Sequence, residues 1–342
     1  LSARRRDGSQ VAEFNAAQRD VTATRIEHVV EAVVPRGTTF LSARVKFHTS
    51  TPGESGEGEI ERMELRRLAS PTRLPEGPRV SLYNFNIHKM RDDWRGWITY
   101  IVQQKLAPPD VVLLQDVAHD EDRELLQTAL GEAFGGTWAG VGSDPEWQTA
   151  VVWRTRRFTK PLVRRWRGFG GRSCVDHSQD APAVQVKLYH RAADKWVSLV
   201  SLKTPPGVSD SCAWSNIQKV HQSFEPPWSG HLCVIGTDAN APDRDAAGQW
   251  LPWYQRTVAS AAAALNAPET LGYIDPVADA AGVDPEQLAD HATHGKTRID
   301  FLLLRAPWNE PPRVVRQMTL PRGDAAGVRW SDHRGLHAEV AY

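Results

Sequence analysis

No stretch of this sequence approaches the roughly 20 apolar residues that a membrane-spanning helix needs, so no helical membrane span is expected. Neither charge sign is in excess: 41 Lys and Arg stand against 41 Asp and Glu. No global basic field therefore argues for nucleic acid, although a local basic groove is invisible in such a total. Cysteine is scarce, at three residues, which neither requires nor excludes an oxidising compartment. Cys233 sits in the apolar run from Leu232 to Ile235 and reads as a buried thiol. Cys174 and Cys212 fall in polar, loop-like segments and could pair. The start, Leu1-Ser-Ala-Arg-Arg-Arg6, lacks the apolar region of an intact signal peptide. Localisation stays open between the cytoplasm and secretion after leader cleavage. No internal repeat is evident.

The 342 residues, 41% hydrophobic and 24% charged, suffice for one large soluble domain or a domain with an appendage. Residues 1–76 differ from the rest and read as an N-terminal extension of unknown role. Apolar residues between Ser9 and Val34 recur at near-helical spacing, with Pro35 as a stop, which predicts a helix. Thr38 to Thr49 reads as a strand, and Thr51 to Gly58 as a turn or linker. Residues 77–342 read as the main domain. Helices are expected over Trp94–Lys105, Glu121–Phe134 and an Ala-rich stretch around Arg256–Leu265. Strands are expected at Ala150–Trp153, Ala183–Leu188 and Trp196–Leu202, with further strands before Asp238 and at the end. Many strands with few helices between them suggest a two-sheet α/β sandwich and not a doubly wound parallel sheet.

Five polar interruptions follow apolar runs in a fixed order: Asn86, Gln115-Asp116, Asp238-Ala-Asn240, Asp300 and Ser331-Asp332-His333. Most of the runs are short and rich in Val, Ile and Leu, as buried strands are. Carboxylates and carboxamides are expensive to desolvate without partners. Setting one at the end of several strands converges hard oxygen ligands on one cleft, which is how a divalent metal site for phosphate chemistry is built.

In this order the elements resemble the endonuclease/exonuclease/phosphatase superfamily, which includes DNase I-like nucleases and inositol polyphosphate phosphatases. The resemblance spans residues 79 to 342 and implies a DNase I-like four-layer α/β/β/α sandwich carrying an N-terminal extension. Phe85-Asn86-Ile87-His88 matches the end of the first family strand, with Asn84 on the same face as an alternative. Leu114-Gln115-Asp116 matches the Leu-Gln-Glu motif with its carboxylate one methylene shorter. Asp238-Ala-Asn240 matches Gly-Asp-x-Asn with Thr237 in place of the immediately preceding Gly, Arg298-Ile-Asp300-Phe matches Ile-Asp-Tyr, and Ser331-Asp332-His333 matches Ser-Asp-His.

The resemblance implies Mg²⁺ or Mn²⁺ held by Asp116 and Asp332 with Asn86 in support. It implies Asp238 positioning a water, Asn240 and His333 on the phosphoryl oxygens, and Asp300 orienting His333. With the shortened Asp116 the metal sits deeper or a water fills the gap. Where DNase I-like nucleases carry a catalytic His, the run Val197 to Pro206 has Lys203, a point charge for phosphate. Arg172, Arg154 and His88 are candidates for substrate phosphate, solvated surface arginine being the competing reading for the first two. The aromatics Trp250, Trp253 and Tyr254 either stack on substrate or pack in the core. The expected activity is metal-dependent hydrolysis of a phosphodiester or phosphomonoester, nucleic acid being one possible substrate. The alternative is a non-hydrolytic descendant of the fold, motivated by Lys203.

Overall fold

The computed structural model describes residues 2–4, 10–13, 40–42, 78–143, 149–166, 181–206, 210–264, 270–280, 288, 290–307 and 311–342. Chain contacts divide the protein into two units, Leu1–Arg73 and Leu74–Tyr342. In the first, β1 (Ser2–Arg4), β2 (Gln10–Glu13) and β3 (Phe40–Ser42) form an antiparallel sheet in the order β2-β1-β3. Strand β3 falls within the stretch expected to be extended. The helix expected from Ser9 is corrected at Gln10–Glu13, which pair with β1 instead. Near-helical spacing of apolar residues is a local preference, and a strand partner satisfies the same backbone groups at long range. The rest of that expected helix, and the expected linker at Thr51–Gly58, lie outside the described residues.

The second unit holds two mixed sheets. One contains β4 (Arg79–Asn86), β5 (Val111–Gln115), β6 (Trp138–Gly142), β7 (Thr149–Arg154), β13 (Arg313–Thr319) and β14 (Leu336–Ala341), in the order β13-β14-β4-β5-β7-β6. The other contains β8 (Phe158–Trp166), β9 (Ala183–His190), β10 (Lys195–Lys203), β11 (Leu232–Asp238) and β12 (Asp300–Arg305), in the order β12-β11-β10-β9-β8. Side chains of β4 and β5 alternate between two apolar clusters, as the period of two requires. Tyr83, Phe85, Val112 and Leu114 pack with Trp97, Ile98 and Ile101 of α1 (Gly96–Gln103) and Leu126 and Leu130 of α2 (Asp120–Phe134). Val80, Leu82, Val111 and Leu113 pack in a second cluster with Leu199, Val234 and Phe301 of the opposite sheet. Ile217 and Val220 of α3 (Asp210–Ser223) join the same cluster. This is the α/β sandwich, with helices against both sheets.

The Ala-rich helix is broken in two. Pro252–Thr257 forms α4 and Ala259–Ala264 forms α5, with Val258 extended at φ −103° and ψ 123° between them. Val258 bridges to Tyr273, and the Ala259 N–H donates to the Tyr273 carbonyl. That pairing to a distant segment overrides local helix propensity. Trp253 and Tyr254 are fully buried in the core, and Trp250 is partly buried and stacked on Tyr254, so the first two pack and the third leans on them. Of the three cysteines, Cys233 is a free buried thiol and Cys212 is disulfide-bonded; Cys174 lies outside the described residues.

Strand direction places the polar residues. Strands β10 and β11 are parallel, with Lys203 opposite Asp238. Strand β12 is antiparallel to β11, so Asp300 at its start lies opposite Asp238 at the end of β11. In the other sheet β4 and β5 are parallel, with Asn86 opposite Gln115. Two corrections follow to the picture of polar residues that terminate strands: Asp300 opens β12, and Ser331–His333 precede β14 in a loop.

The sheets meet through a buried polar bridge near this end. Gln115 Nε2 donates to Asn84 Oδ1 at 2.9 Å and to Ser201 Oγ at 3.0 Å. Ser201 Oγ donates to the Leu114 carbonyl at 2.7 Å. Asn84 Nδ2 reaches the Phe301 carbonyl at 3.3 Å. Glycine is required at 236, since a Cβ there would lie 2.5 Å from Asn84 Oδ1 and 2.7 Å from Leu113 Cβ.

Two buried histidines far along the strands make stability depend on pH. His190 bonds the Tyr342 hydroxyl at 2.8 Å. His337 faces Ser81 Oγ at 3.2 Å and stacks on Tyr83. Burial, helped by Arg157 and Arg316 respectively, pushes each pKa down to about 4. The unfolded chain binds these protons near pH 6.5. Stability is thus fully present above about pH 6.5 and is lost as pH falls toward 4, at up to ~1.4 kcal/mol per pH unit for each histidine. Urea denaturation between pH 7 and 5 should show stability falling less steeply with acid in His337→Phe than in the parent protein, by up to about 1.4 kcal/mol per pH unit, since one of the two contributions is removed.

Candidate active site

Asn86, at the end of β4 and 1% exposed, is the node of the site. Its Oδ1 accepts the His88 N–H at 2.9 Å, which fixes the amide orientation. Its Nδ2 then points at three groups: Asp116 Oδ2 at 3.0 Å, Asp238 Oδ2 at 3.0 Å and His333 Nε2 at 3.4 Å. The Asn86 carbonyl accepts from Ser331 Oγ at 2.7 Å, which ties the Ser-Asp-His loop to the same strand end. Asn84, the alternative to Asn86, points into the polar bridge between the sheets and not into this cluster.

On one side of the node, the Lys203 ammonium forms an ion pair with Asp116 Oδ1. Asp116 follows β5 directly, at a left-handed φ of 57°. Asp238 is 1% exposed and accepts the Asn240 N–H at 3.0 Å. Asn240 Nδ2 is committed to the Thr204 carbonyl at 2.6 Å and to Asp238 Oδ2 at 3.2 Å. With both amide hydrogens so engaged, Asn240 here orients Asp238 and does not offer a free donor to a phosphate.

On the other side, His333 Nδ1 lies 2.8 Å from Asp300 Oδ2. The Thr293 hydroxyl oxygen accepts the N–H groups of Ile299 and Asp300, each at 3.0 Å, and fixes the start of β12. Arg298, 4% exposed, pairs with Asp275 and Asp243 just behind it. Asp332 is partly exposed and sits between two imidazoles, with His88 Nε2 3.7 Å from Oδ2 and His333 Nε2 4.0 Å from Oδ1. A third imidazole, His294, lies against His333 with ring centroids 4.8 Å apart. His294 escaped sequence reasoning because it is a loop residue outside any motif, brought in by a short bridge to His333.

The structure brings Asn86, His88, Asp116, Lys203, Asp238, Asn240, Asp300, Asp332 and His333 to one end of the sandwich. Arg154 is not among them and is corrected. It ends β7, whose register sets Thr149 beside Gln115 and carries Arg154 to the opposite end of the sheet. There it is 5% exposed and lies over the Trp138 ring. It is therefore neither a cleft residue nor a solvated surface arginine. Arg172 lies outside the described residues.

The charges in the cluster are unbalanced. Asp116, Asp238, Asp300 and Asp332 face Lys203 and His333. Burial and the neighbouring Asp300 push the Asp238 pKa up to about 7, against the pull of His333 and Lys203. Burial opposes charge on His333, but Asp300, then Asp238 and Asp332, outweigh it and push its pKa up to about 9. Asp300 Oδ1 is buried without a hydrogen-bond partner. A surplus of carboxylate in a desolvated pocket is the donor set of a hard divalent cation. Two groups here offer ligand atoms within 4.8 Å of one another: Asp238 with Asp300 and His333, and Asp332 with His294 and His333. The residues present thus fit a divalent metal.

Among solved structures the chain is similar to D. rerio TDP2 in complex with a single-strand DNA product, at a TM-score of 0.53 and 15% identity over 77% of this chain and 99% of that one. It is similar to the human Nocturnin catalytic domain with bound sulfate, at a TM-score of 0.51 and 13% identity over 77% and 93%. It is likewise similar to an endonuclease/exonuclease/phosphatase from Bacteroides vulgatus, at a TM-score of 0.50 and 14% identity over 77% and 98%. No protein-family model and no curated protein matches the sequence. The chain has the DNase I-like fold of these structures.

Replacing Asp300 by Asn removes the charge that most favours protonated His333. In the metal-free protein the His333 pKa should fall from about 9 by more than about one unit, read by NMR of the imidazole signals. An unchanged value would show that Asp300 does not control that proton.

Proposed function

We propose that the protein is a divalent-metal-dependent phosphoesterase that hydrolyses a phosphodiester or phosphomonoester by in-line attack of water. The observation that carries this reading is the Asn86 carboxamide, which joins Asp116, Asp238 and His333 from both sheets in one buried network. Such a set offers metal ligands, a base and a cationic donor within one cluster.

Asp116 and Asp332, with Asn86 in support, would hold Mg²⁺ or Mn²⁺. Bound there, the cation supplies Lewis-acid polarisation of a phosphoryl oxygen and charge neutralisation. Asp238 positions a water and takes its proton, and its two contacts from Asn240 hold the carboxylate in one orientation. His333, charged through its pairing with Asp300, donates from Nε2 to a phosphoryl oxygen. Lys203 adds a fixed positive charge beside Asp116, where the trigonal phosphoryl oxygens accumulate negative charge. The similarity to a TDP2 bound to a single-strand DNA product supports nucleic acid as a substrate class. The zero net charge of the chain does not add to it.

The Lys203–Asp116 ion pair favours a second reading. An ammonium already neutralises one of the carboxylates that would bind metal, as in a descendant of the fold that binds a phosphate group without cleaving it. Thermal unfolding in millimolar Mg²⁺ or Mn²⁺ separates the two: a raised melting temperature supports the hydrolase, and no shift supports the binder.

On the hydrolase reading, Asp238→Ala should cut turnover by about 100-fold or more, and EDTA should abolish it. Phosphate or nucleotide release should be measured across plasmid DNA, single-stranded DNA, RNA and small phosphoesters. Turnover that survives the chelator would overturn the mechanism.

A further inference from the structure

The two sides of the site differ in their donor atoms. Asp116 and Asp238 present carboxylate oxygen, which suits Mg²⁺. Around Asp332 the donors are nitrogen. His88 Nδ1 lies 2.8 Å from Asp92 Oδ2, and Arg329 Nη2 in turn holds Asp92 Oδ1 at 3.2 Å. His333 Nδ1 lies 2.8 Å from Asp300 Oδ2. In each pair the carboxylate accepts a hydrogen bond from Nδ1–H, which leaves Nε2 facing outward as the ligand atom. This carboxylate–histidine arrangement is the one that orients imidazoles on metals. The two Nε2 atoms approach opposite oxygens of Asp332, at 3.7 and 4.0 Å. His294, exposed to solvent, completes the set: it offers a ligand atom within 4.8 Å of those of Asp332 and His333.

We infer that this cluster is a site for a nitrogen-preferring divalent cation of the Zn²⁺ type, held by His294, His333 and Asp332 with His88 beside them, and that its occupancy inhibits the enzyme. Imidazole donors favour zinc over magnesium, so Mg²⁺ does not displace such an ion efficiently. Inhibition follows because coordination at His333 Nε2 consumes the atom that would donate to the phosphoryl oxygen, and because Asp332, proposed above for Mg²⁺, is taken by the second ion. The inhibitory part rests on the phosphoesterase reading; the cation site does not.

The test uses the full chain. Zn²⁺ binding is measured by calorimetry without Mg²⁺, and Co²⁺ binding by its visible absorption, for the parent protein, His294→Asn and His88→Gln. Melting temperatures confirm that the variants fold. His294→Asn should weaken Zn²⁺ binding by tenfold or more, and His88→Gln should weaken it to a lesser degree. In hydrolysis assays Zn²⁺ should inhibit Mg²⁺-supported turnover. His294→Asn should need at least tenfold more zinc for the same fractional inhibition of its own Mg²⁺-supported turnover. Equal zinc affinity in all three proteins overturns the site. Weakened binding in the variants with zinc-insensitive turnover in the parent overturns the inhibition. If no phosphoester is turned over with Mg²⁺, the phosphoesterase reading falls and the inhibition with it, while the calorimetric and Co²⁺ measurements still decide the cation site.

Discussion

A single carboxamide with two hydrogens faces two carboxylate oxygens and one imidazole nitrogen, and much of the site's arrangement depends on it. Asn86 gives both hydrogens to carboxylates, one following a strand of its own sheet and one ending a strand of the other. That commitment sets how far apart the two sheets stand at this end. The third neighbour, His333 Nε2, receives no hydrogen from it and is left as a donor in its own right. Removing the amide would leave Asp116 and Asp238 facing each other with only Lys203 and His333 between them. Repulsion between buried carboxylates is costly at the low effective dielectric of such a pocket.

The node holds because polar groups behind it are satisfied in turn. Gln115, Asn84 and Ser201 bridge the sheets beneath Asn86, and the close approach at Gly236 seals that layer. Behind Asp300, the Arg298 guanidinium between Asp275 and Asp243 anchors the preceding residues. Buried ion pairs contribute little net stability, but loss of one partner is strongly destabilising. Their role here is positional. They hold Ile299 and Asp300 against Thr293, so that the carboxylate meets His333 Nδ1 at hydrogen-bond distance.

The fold and most of the site were legible because the polar residues interrupt strand-like runs. In a buried strand an Asn or Asp is conspicuous against Val, Ile and Leu. The helices at Gly96 and Asp120 were likewise expected, the second from its acidic start. What escaped was set by long-range pairing. Asp300 opens its strand only because β12 runs against β11. Arg154 is carried away from the cluster by the antiparallel register of β7, which no local signal encodes. Strand β8 was not anticipated, since it lies at the end of its sheet and most of its side chains face solvent. Val258 breaks an Ala-rich helix through a bridge to Tyr273. His294 is an isolated loop histidine whose neighbours are known only from the fold.

Several residues of the cluster stand on left-handed backbone: His88 at φ 48°, Asp116 at φ 57° and Asn240 at φ 47°. Asp and Asn are the side-chain types that adopt this conformation most readily, because their short polar groups bond locally. A longer or branched side chain there costs roughly 1–2 kcal/mol in backbone energy. The shortened carboxylate at 116 is thus matched to its own backbone, and not simply a truncated version of a longer one. Lengthening the side chain at 116 therefore carries a backbone cost unless the turn after β5 changes with it.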